Sequence, residues 1–227
     1  MDFSEYYEDS YYKQNNYIKQ HDYLVSVFTA ILQMIESYGY SGKLFDVGCA
    51  LGFMMEAAEK RGWSAFGIEI SKTACRLAKK YTQGTVLNQR IDMGTEFPNG
   101  FFDAVTAYDV IEHVSNPRAT IKEIKRVLRK DGLLYIHTLN YDGIGRRLGG
   151  INWNLLTPPG HTVYWTPKSL KRILGEEGFK IVNLSTARMA TVNKFHNYFF
   201  NGLLLRRFTL ISRLIPGDYL ELFARAV

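Results

Sequence analysis

Apolar residues in the first part of the chain recur with a helical period, whereas those after residue 43 form short runs. Before residue 40 they recur every three or four positions, which predicts one helix ending near Gly39. Its apolar face comprises Leu24, Val27, Phe28, Ile31, Leu32 and Ile35. From Lys43 onward, short apolar runs alternate with stretches of helical period. This alternation is typical of a parallel sheet with helices packed on its faces.

Seven apolar runs are predicted as strands. They are LFDV (44–47), AFGIEI (65–70), TVLN (85–88), FDAVTAYDV (102–110), LLYIHTL (133–139), KIVNLS (180–185) and DYLELFARAV (218–227). Turn and capping residues bound the helices between these runs. The predicted helices extend from Gly52 to Gly62, from the cap Ser71 to about Tyr81, from Asn116-Pro117 to the turn Lys130-Asp131-Gly132, and from Thr166-Pro167 to Gly175 or Gly178.

Three segments depart from this pattern. Residues 1–40 combine a tyrosine-rich arm with the first helix, and residues 195–215 form an aromatic and basic insert before the last strand. Residues 141–162 hold five glycines and two prolines, too many for a helix or a strand. We therefore predict a mobile lid loop over 141–165. No second domain is indicated, so residues 1–227 are predicted to form a single domain.

Composition excludes several classes of protein. With 46% hydrophobic and 22% charged residues, the chain is predicted to fold rather than remain disordered. Its two cysteines cannot build a disulfide framework or a four-cysteine zinc site. The N-terminal MDFSEYYEDSYY is acidic where a secretory signal is basic, which predicts a cytoplasmic location. The net charge of +6 specifies no partner.

The segment LFDVGCALGF from Leu44 to Phe53 carries the most chemical information. An apolar strand runs into a turn and then a helix, and small residues at 48, 50 and 52 allow a ligand to approach the backbone. The following helix directs free N–H groups toward the same place. Glu69 ends the second strand 17 residues after Gly52, where a carboxylate accepts ribose hydroxyls in such folds. The segment therefore predicts a nucleotide-cofactor loop.

The position of the glycines distinguishes two classes of cofactor. A dinucleotide fingerprint would place its last glycine at Phe53, whose side chain would obstruct helix–sheet packing and so disfavours NAD. The spacing D-x-G-x-A-x-G over Asp46–Gly52 instead resembles the loop of class I S-adenosylmethionine-dependent methyltransferases, with Ala50 in place of the middle glycine. This resemblance extends from about Gly42 to Ser185. It implies a Rossmann-like α/β fold, with a seven-stranded mainly parallel sheet, an antiparallel last strand and helices on both faces.

The resemblance also implies the cofactor, S-adenosylmethionine, with S-adenosylhomocysteine as product, and the residues that bind it. Besides the loop, it covers FDAV (102–105) and YDVIEHV (108–114), which are similar to the strand-four signature of the family. Glu69 would bind the ribose, and Asp92 would accept a hydrogen bond from the adenine amino group. Main chain near Tyr108 would hold the methionine end of the cofactor. The implied cofactor residues are Asp46, Gly48, Cys49, Ala50, Gly52, Glu69, Ile70, Asp92, Met93 and Tyr108.

Within this family, the E-H-V signature, Asn140 and the segment GHTVYW (160–165) most resemble the ubiquinone-pathway O-methyltransferases. In quinone-pathway members a carboxylate-x-x-Glu-His run can hold a divalent metal, which here would use Asp109, Glu112 and His113. On a helix these three would share one face. Because Asp109 is shorter than the family's glutamate, we favour hydrogen-bonded, cap-like roles for Glu112 and His113 and assign no metal.

An oxygen acceptor must lose its proton, so a histidine is the expected general base. A phenol with a pKa near 10 lies within range of an imidazole with a pKa of about 6.5. His161 is the first choice because it follows the glycine-rich lid, and the alternative for it is a hydrogen bond that anchors the loop. His113 is the second choice, and Asp109 completes the predicted catalytic set. His137, inside strand five, is interpreted as a core or rim histidine.

The absence of certain motifs disfavours several classes of methyl acceptor. No Asn/Asp-Pro-Pro-Tyr/Phe follows strand four, which disfavours methylation of nucleic-acid amines, and neither Cys49 nor Cys75 is placed as a nucleophile. A hydroxyl of a small molecule remains, on a phenol, a sugar or a lipid-linked acceptor. The rival functions are a tRNA or RNA methyltransferase, a noncatalytic S-adenosylmethionine-binding regulator and a nicotinamide oxidoreductase.

The insert at 195–215 bears on where the protein acts. Its aromatic residues and leucines are mixed with arginines, as in helices that lie on a membrane surface. Arg206, Arg207 and Arg213 interrupt it, so no spanning helix is predicted. The insert would suit peripheral contact with the inner membrane face, a substrate lid or a dimer contact. The sequence leaves the acceptor and the oligomeric state open.

Overall fold

The computed structural model describes residues 17–187 and 217–227, within which the seven predicted strands form one sheet. The strands are β1 (Lys43–Val47), β2 (Ser64–Glu69), β3 (Thr85–Asn88), β4 (Phe102–Tyr108), β5 (Leu128–Leu139), β6 (Phe179–Ala187) and β7 (Tyr219–Ala226). Their order across the sheet is β3-β2-β1-β4-β5-β7-β6. Strands β1 to β5 pair in parallel, whereas β7 runs antiparallel to both β5 and β6. The predicted mainly parallel sheet with an antiparallel last strand is confirmed.

Helices cover both faces of this sheet. They are α1 (His21–Ser37), α2 (Phe53–Glu59), α3 (Lys72–Ala78), α4 (Pro117–Val127), α5 (Ile144–Gly149) and α6 (Pro167–Glu176), with 3-10 turns at Ile18–Gln20, Ile91–Met93 and Gly150–Asn152. The predicted caps form: Ser71 Oγ accepts from Ala74 N, and Asn116 Oδ1 accepts from Ala119 N. Capping side chains satisfy N–H groups that have no partner within the helix, which fixes where each helix begins.

Alternate residues of β5 divide the core into two parts. Leu133 and Tyr135 lie in a cluster with the apolar faces of α1 and α2. Leu134 and Ile136 lie in a second cluster with α4 and α6. Successive side chains of a strand point to opposite faces, so a fully buried strand is apolar on both. The carboxyl ends of the parallel strands lie at one edge of the sheet, which is where ligands bind in open α/β sheets.

Some predicted boundaries are wrong. Helices α2 and α3 end before Gly62 and Tyr81, and α4 ends at Val127 instead of continuing to the turn at 130–132. Strand pairing decides this last boundary, because Leu128 already pairs with Phe102 of β4. Asp131 has a φ of +58° and lies within β5.

The glycine-rich segment 141–162 is predicted to contain no helix, but the structure has α5 within it. Gly143 precedes α5, and a carboxylate oxygen of Asp218 accepts from the N–H of Gly145 in its first turn. That bond comes from a residue 73 positions away, so the local glycine content does not reveal it. The arm before residue 17 and the insert at 195–215 lie outside the described residues. Within the described ranges, none of the helices has the length and apolar content needed to span a bilayer.

Candidate functional site

The loop after β1 is held in a conformation that explains its small residues. Gly48, Ala50 and Gly52 have φ values of +69°, +47° and +80°, so every second residue of the loop is left-handed. Glycine adopts this region freely, whereas an L-residue such as alanine is strained there. The predicted spacing of small residues therefore reflects backbone conformation as well as ligand approach.

The same loop lies close to the sheet and to the segment after β4. The N–H groups of Gly48 and Cys49 both donate to the carbonyl of Ile68 on β2, at 2.8 and 3.1 Å. A Cβ atom on Gly48 would lie 2.5 Å from Cγ2 of Val110, closer than van der Waals contact allows. Cys49 is buried, and burial raises the pKa of its thiol well above the usual value. A buried thiol with a raised pKa is a poor nucleophile.

Asp46 lies below the loop and contacts β4. One of its carboxylate oxygens accepts from the hydroxyl of Thr106 at 2.7 Å, and only 4% of the residue is exposed. Burial raises the pKa of Asp46 to about 7, while the Thr106 hydrogen bond opposes this rise. The carboxyl group fastens the end of β1 to its neighbour, a contact that the sequence did not reveal.

Glu69, the predicted ribose acid, closes the loop against β2. One carboxylate oxygen accepts from the N–H of Ala50 at 3.0 Å, and the other accepts from the N–H of Ser71 at 2.9 Å. The side chain is buried, which raises its pKa despite these two bonds. Each carboxylate oxygen has two lone pairs, so both retain capacity for a ribose hydroxyl. This geometry fits the predicted role.

Asn88 at the end of β3 is a positioning residue that sequence reasoning missed. Its side-chain amide donates to the carbonyls of Glu69 and Ile70, at 3.0 and 2.9 Å. The amide thereby fixes the backbone from which the Glu69 carboxylate projects. A polar residue at the end of a predicted strand, beside the second-strand acid, was the available signal.

The predicted adenine contacts follow β3 in a 3-10 turn. Both oxygens of Asp92 accept from the guanidinium of Arg90, at 3.0 and 2.7 Å. Met93 is 79% exposed, so its side chain lines an open surface. We refer to residues 46–52, 69–70 and 91–93 together as the β1–β3 edge.

The predicted strand over 102–110 ends at Tyr108, and a turn follows it. Asp109 has a φ of +53°, and the residues around Glu112 and His113 form turns, so helical i, i+3 and i+4 spacing does not apply. Tyr108 is the last residue of β4, and its ring lies edge-on to Phe28 of α1 at 5.3 Å. Burial raises the pKa of the Tyr108 hydroxyl.

Asp109 pairs with a histidine that the sequence did not favour. Its carboxylate lies 2.6 Å from Nδ1 of His137, and its N–H donates to the His137 carbonyl at 3.0 Å. The imidazole is stacked between the rings of Tyr108 and Tyr219, with centroids 4.3 and 5.0 Å away. His137 is buried, as expected of a core or rim histidine, and it lies beside Asp109 at the end of β4.

Glu112 is enclosed between β5 and the segment before α6. Its carboxylate accepts from the hydroxyl of Thr138 at 2.8 Å, and its carbonyl accepts from the N–H groups of Thr162 and Val163. Only 2% of the residue is exposed, and burial raises the pKa of its carboxyl group. The predicted hydrogen-bonded role for Glu112 fits these contacts.

His113 and His161 lie side by side, with ring centroids 4.8 Å apart. Nδ1 of His113 lies 2.7 Å from the carbonyl oxygen of Gly160, and Nδ1 of His161 lies 2.7 Å from that of Leu155. Burial lowers the pKa of His113. These contacts fit the loop-anchoring alternative. Because Nδ1–H donates to a carbonyl oxygen in each neutral ring, Nε2 carries the lone pair.

One group of metal-ligand atoms converges among the described residues. Ligand atoms of Glu112, His113 and His161 all lie within 4.8 Å of one another. Asp109, which the family's carboxylate-x-x-Glu-His run would place beside Glu112 and His113, is not a member of this group, because its carboxylate pairs with His137. One carboxylate and two imidazoles are ligands that a divalent transition ion accepts. We refer to residues 108–114, 137–140 and 160–162 as the β4–β5 edge.

Comparisons with known proteins bear on this arrangement. Residues 19–184 match the family described as a methyltransferase domain. A ubiquinone biosynthesis O-methyltransferase of Chromobacterium violaceum is 31% identical over 104 residues, which are 43% of this chain and 44% of that protein. The protein of the same name from Idiomarina loihiensis is 24% identical over 80% of this chain and 74% of its own length. The chain thus aligns with less than half of the first relative.

The fold also resembles a solved structure. A S-adenosylmethionine-dependent methyltransferase from Archaeoglobus fulgidus superimposes with a TM-score of 0.65 at 16% identity, covering 92% of this chain and 98% of that one. At this low sequence identity, the similarity shows a shared fold alone. The family match and the structural likeness both agree with a methyltransferase fold.

Proposed function

Because the chain belongs to the class I S-adenosylmethionine-dependent methyltransferases, we propose that it transfers the methyl group to a hydroxyl of a small molecule, on a phenol, a sugar or a lipid-linked acceptor. The observation that carries this proposal is the set of three imidazoles at the β4–β5 edge. They belong to His113, His137 and His161. An imidazole is suited to removing a hydroxyl proton near neutral pH.

The order of strands gives the cofactor a direction in this proposal. The predicted adenine contacts follow β3, the ribose acid Glu69 ends β2, and the glycine loop follows β1. The methionine end would then lie over β4, near Tyr108. An acceptor in line with the methyl group would lie over the ends of β4 and β5, beside the histidines.

The cofactor supplies an activated methyl group, so the protein chiefly orients the acceptor, excludes water and removes a proton. Glu69 holds the loop and the ribose in this scheme, and the segment from Asn140 to Thr162 closes the acceptor side. His161 and His113 were the predicted bases, with His137 as the addition from the structure. Support for an oxygen acceptor also comes from the relatives named ubiquinone biosynthesis O-methyltransferase.

The test is methyl transfer from radiolabelled S-adenosylmethionine to a panel of phenols, sugars and polyprenyl phenols, with total RNA as a separate arm. Calorimetric titration with S-adenosylhomocysteine accompanies it. We expect cofactor binding and a labelled methyl ether. Label in RNA would favour the RNA methyltransferase, and cofactor binding without label in the panel or in cell extract would favour the regulator. Either result would contradict the proposal.

We also propose a cytoplasmic location with peripheral contact through residues 195–215. Co-sedimentation with vesicles of anionic phospholipid tests the contact, and neutralising Arg206 and Arg207 should release the protein. Sedimentation that is unchanged in that variant would contradict it.

A further inference from the structure

The pair formed by Asp109 and His137 has the form of a proton acceptor with its own carboxylate. We propose that Nε2 of His137, with Asp109 behind it, takes the hydroxyl proton of the acceptor, and this inference rests on the proposed methyl transfer. In the step, the acceptor oxygen forms a bond to the methyl carbon as the S–CH3 bond breaks toward sulfur. The proton moves to Nε2 and is later released to solvent.

The first support is the fixed tautomer. The Asp109 carboxylate lies 2.6 Å from Nδ1, so the neutral ring carries its proton on Nδ1 and its lone pair on Nε2. The main-chain bond from Asp109 N to His137 O holds the two residues together a second time. A carboxylate that orients a histidine also stabilises the imidazolium formed when the ring accepts a proton.

The second support is the orientation of the ring. Tyr108 and Tyr219 stack on its two faces, with interplanar angles of 7° and 16°, and this stacking fixes the direction of Nε2. Within the described part of the chain, Nε2 has no hydrogen-bond partner, and it is not among the fully enclosed polar atoms that lack one. His137 is 7% exposed, and we infer that an acceptor hydroxyl can reach its Nε2.

The third support is the difference from the other two histidines. His113 and His161 face backbone carbonyls of the lid segment, which orient a ring but carry no full charge. Burial and the neighbouring His161 lower the pKa of His113, which makes it a weaker base. Burial also opposes charge on His137, but Asp109, Glu221 and Glu112 raise its pKa overall. The acidic groups that face it come from the turn after β4 and from β7.

The experiment compares His137→Gln with Asp109→Asn and His161→Gln, using unsubstituted catechol, 3,4-dihydroxybenzoate and 4-nitrocatechol as acceptors. For His137→Gln we expect kcat to fall about 100- to 1,000-fold, the usual contribution of a general base. Affinity for S-adenosylhomocysteine should stay within twofold. The loss should be smallest for 4-nitrocatechol, because its hydroxyl ionises most readily.

The pH profile separates a base from a structural residue. In the wild type, kcat should decrease at pH values below the pKa of His137. This acidic limb of the pH profile should disappear in His137→Gln. In Asp109→Asn the limb should move to lower pH, because the carboxylate that raises the pKa is gone. His21→Gln, which alters a histidine bonded to Glu56 away from this edge, serves as the control. Loss of the limb in His161→Gln, and not in His137→Gln, would overturn the proposal.

A measurement without an acceptor covers the case in which the proposed methyl transfer itself fails. Nitrogen-15 NMR of the histidine rings, in protein saturated with S-adenosylhomocysteine, should show His137 as the Nδ1–H tautomer titrating at Nε2. A ring protonated on Nε2 in its neutral form, or one that never titrates between pH 5 and 9, would refute the base. Absence of methyl transfer with the expected titration would instead refute the proposed reaction.

Discussion

The β1–β3 edge and the β4–β5 edge hold their polar groups by contacts of different range. Glu69 accepts from the N–H of Ala50, 19 residues away, within one strand–loop–strand unit. Glu112 instead accepts from Thr138, 26 residues away, and His113 faces a carbonyl 47 residues away. The first edge is therefore built largely from one contiguous stretch of sequence, and the second is assembled by the fold.

This difference has a chemical counterpart. Main-chain N–H groups and glycine conformations dominate the β1–β3 edge, which suits a cofactor that does not vary. Side chains from β4, β5 and the segment before α6 meet at the other edge, where an acceptor would be chosen. Substitutions at the first edge should therefore change cofactor affinity, and those at the second should change turnover while leaving that affinity alone.

The largest effect is expected for Glu69→Ala. It removes the acceptor for two main-chain N–H groups and the proposed ribose contact, so affinity for S-adenosylhomocysteine should fall about 1,000-fold, given the 1.5–3 kcal/mol of each charge-assisted bond. Isothermal titration calorimetry measures this. Glu59→Ala is the matched control, because Glu59 accepts from the Gln83 N–H in another turn. Equal losses in both variants would contradict the specific role of Glu69.

Gly48→Ala should destabilise the loop next most strongly. The variant combines left-handed strain with a Cβ placed 2.5 Å from Val110, and we expect the free energy of unfolding to fall by about 3 kcal/mol. Gly62→Ala has a similar φ of +85° with nothing within 4 Å, so strain alone should cost about 1 kcal/mol there. Urea denaturation compares the two. Equal costs would show that the contact with Val110 is unimportant.

Asp46→Asn should change how stability depends on pH. The folded pKa of about 7 exceeds the ordinary value of 3.8, so the folded state binds more protons between these values and wild-type stability falls as pH rises through this window. Asparagine lacks this titration. The stability of the variant relative to wild type should therefore increase by about 3 kcal/mol between pH 4.5 and pH 8.

Urea midpoints at pH 4.5, 6 and 8 measure this gain for Asp46→Asn. Other buried acids titrate in both proteins, so the difference between the two isolates Asp46. A difference that stays constant with pH would show that the carboxyl group ionises normally.

Thr162→Val should have the smallest effect and should act on the second edge only. It removes hydroxyl bonds to the carbonyls of Glu112 and Val114, at 3.1 and 3.2 Å, so stability should fall by about 1 kcal/mol. Affinity for S-adenosylhomocysteine should stay within twofold. Calorimetric titration alongside thermal unfolding tests both expectations, and a tenfold loss of affinity would break the separation between the edges.

Much of the β1–β3 edge could be predicted from the sequence. Loop residues 48, 50 and 52 and the acid Glu69 were identified from spacing, because a strand–turn–helix unit places them by local geometry. The contacts of Asp46 with Thr106 and of Asn88 with the Glu69 backbone were not predicted. Both require knowing which strands are neighbours.

The β4–β5 edge was predicted less completely. Asp109, Glu112, His113 and His161 are predicted as its functional residues, but the sequence does not show that the turn after β4 directs Asp109 to His137 and away from Glu112 and His113. His137 was interpreted as a core or rim residue, because nothing in its flanking sequence LLYIHTL shows that the turn after β4 directs a carboxylate to it.

The sequence by itself determined the strands, the small-residue loop and the acid at the end of the second strand, because each depends on periodicity or on backbone conformation within a few residues. Only the tertiary structure decided which imidazoles converge, which of them pairs with a carboxylate, and that residues 141–162 contain a helix. These outcomes depend on contacts between segments 28 to 73 residues apart, which no local pattern encodes.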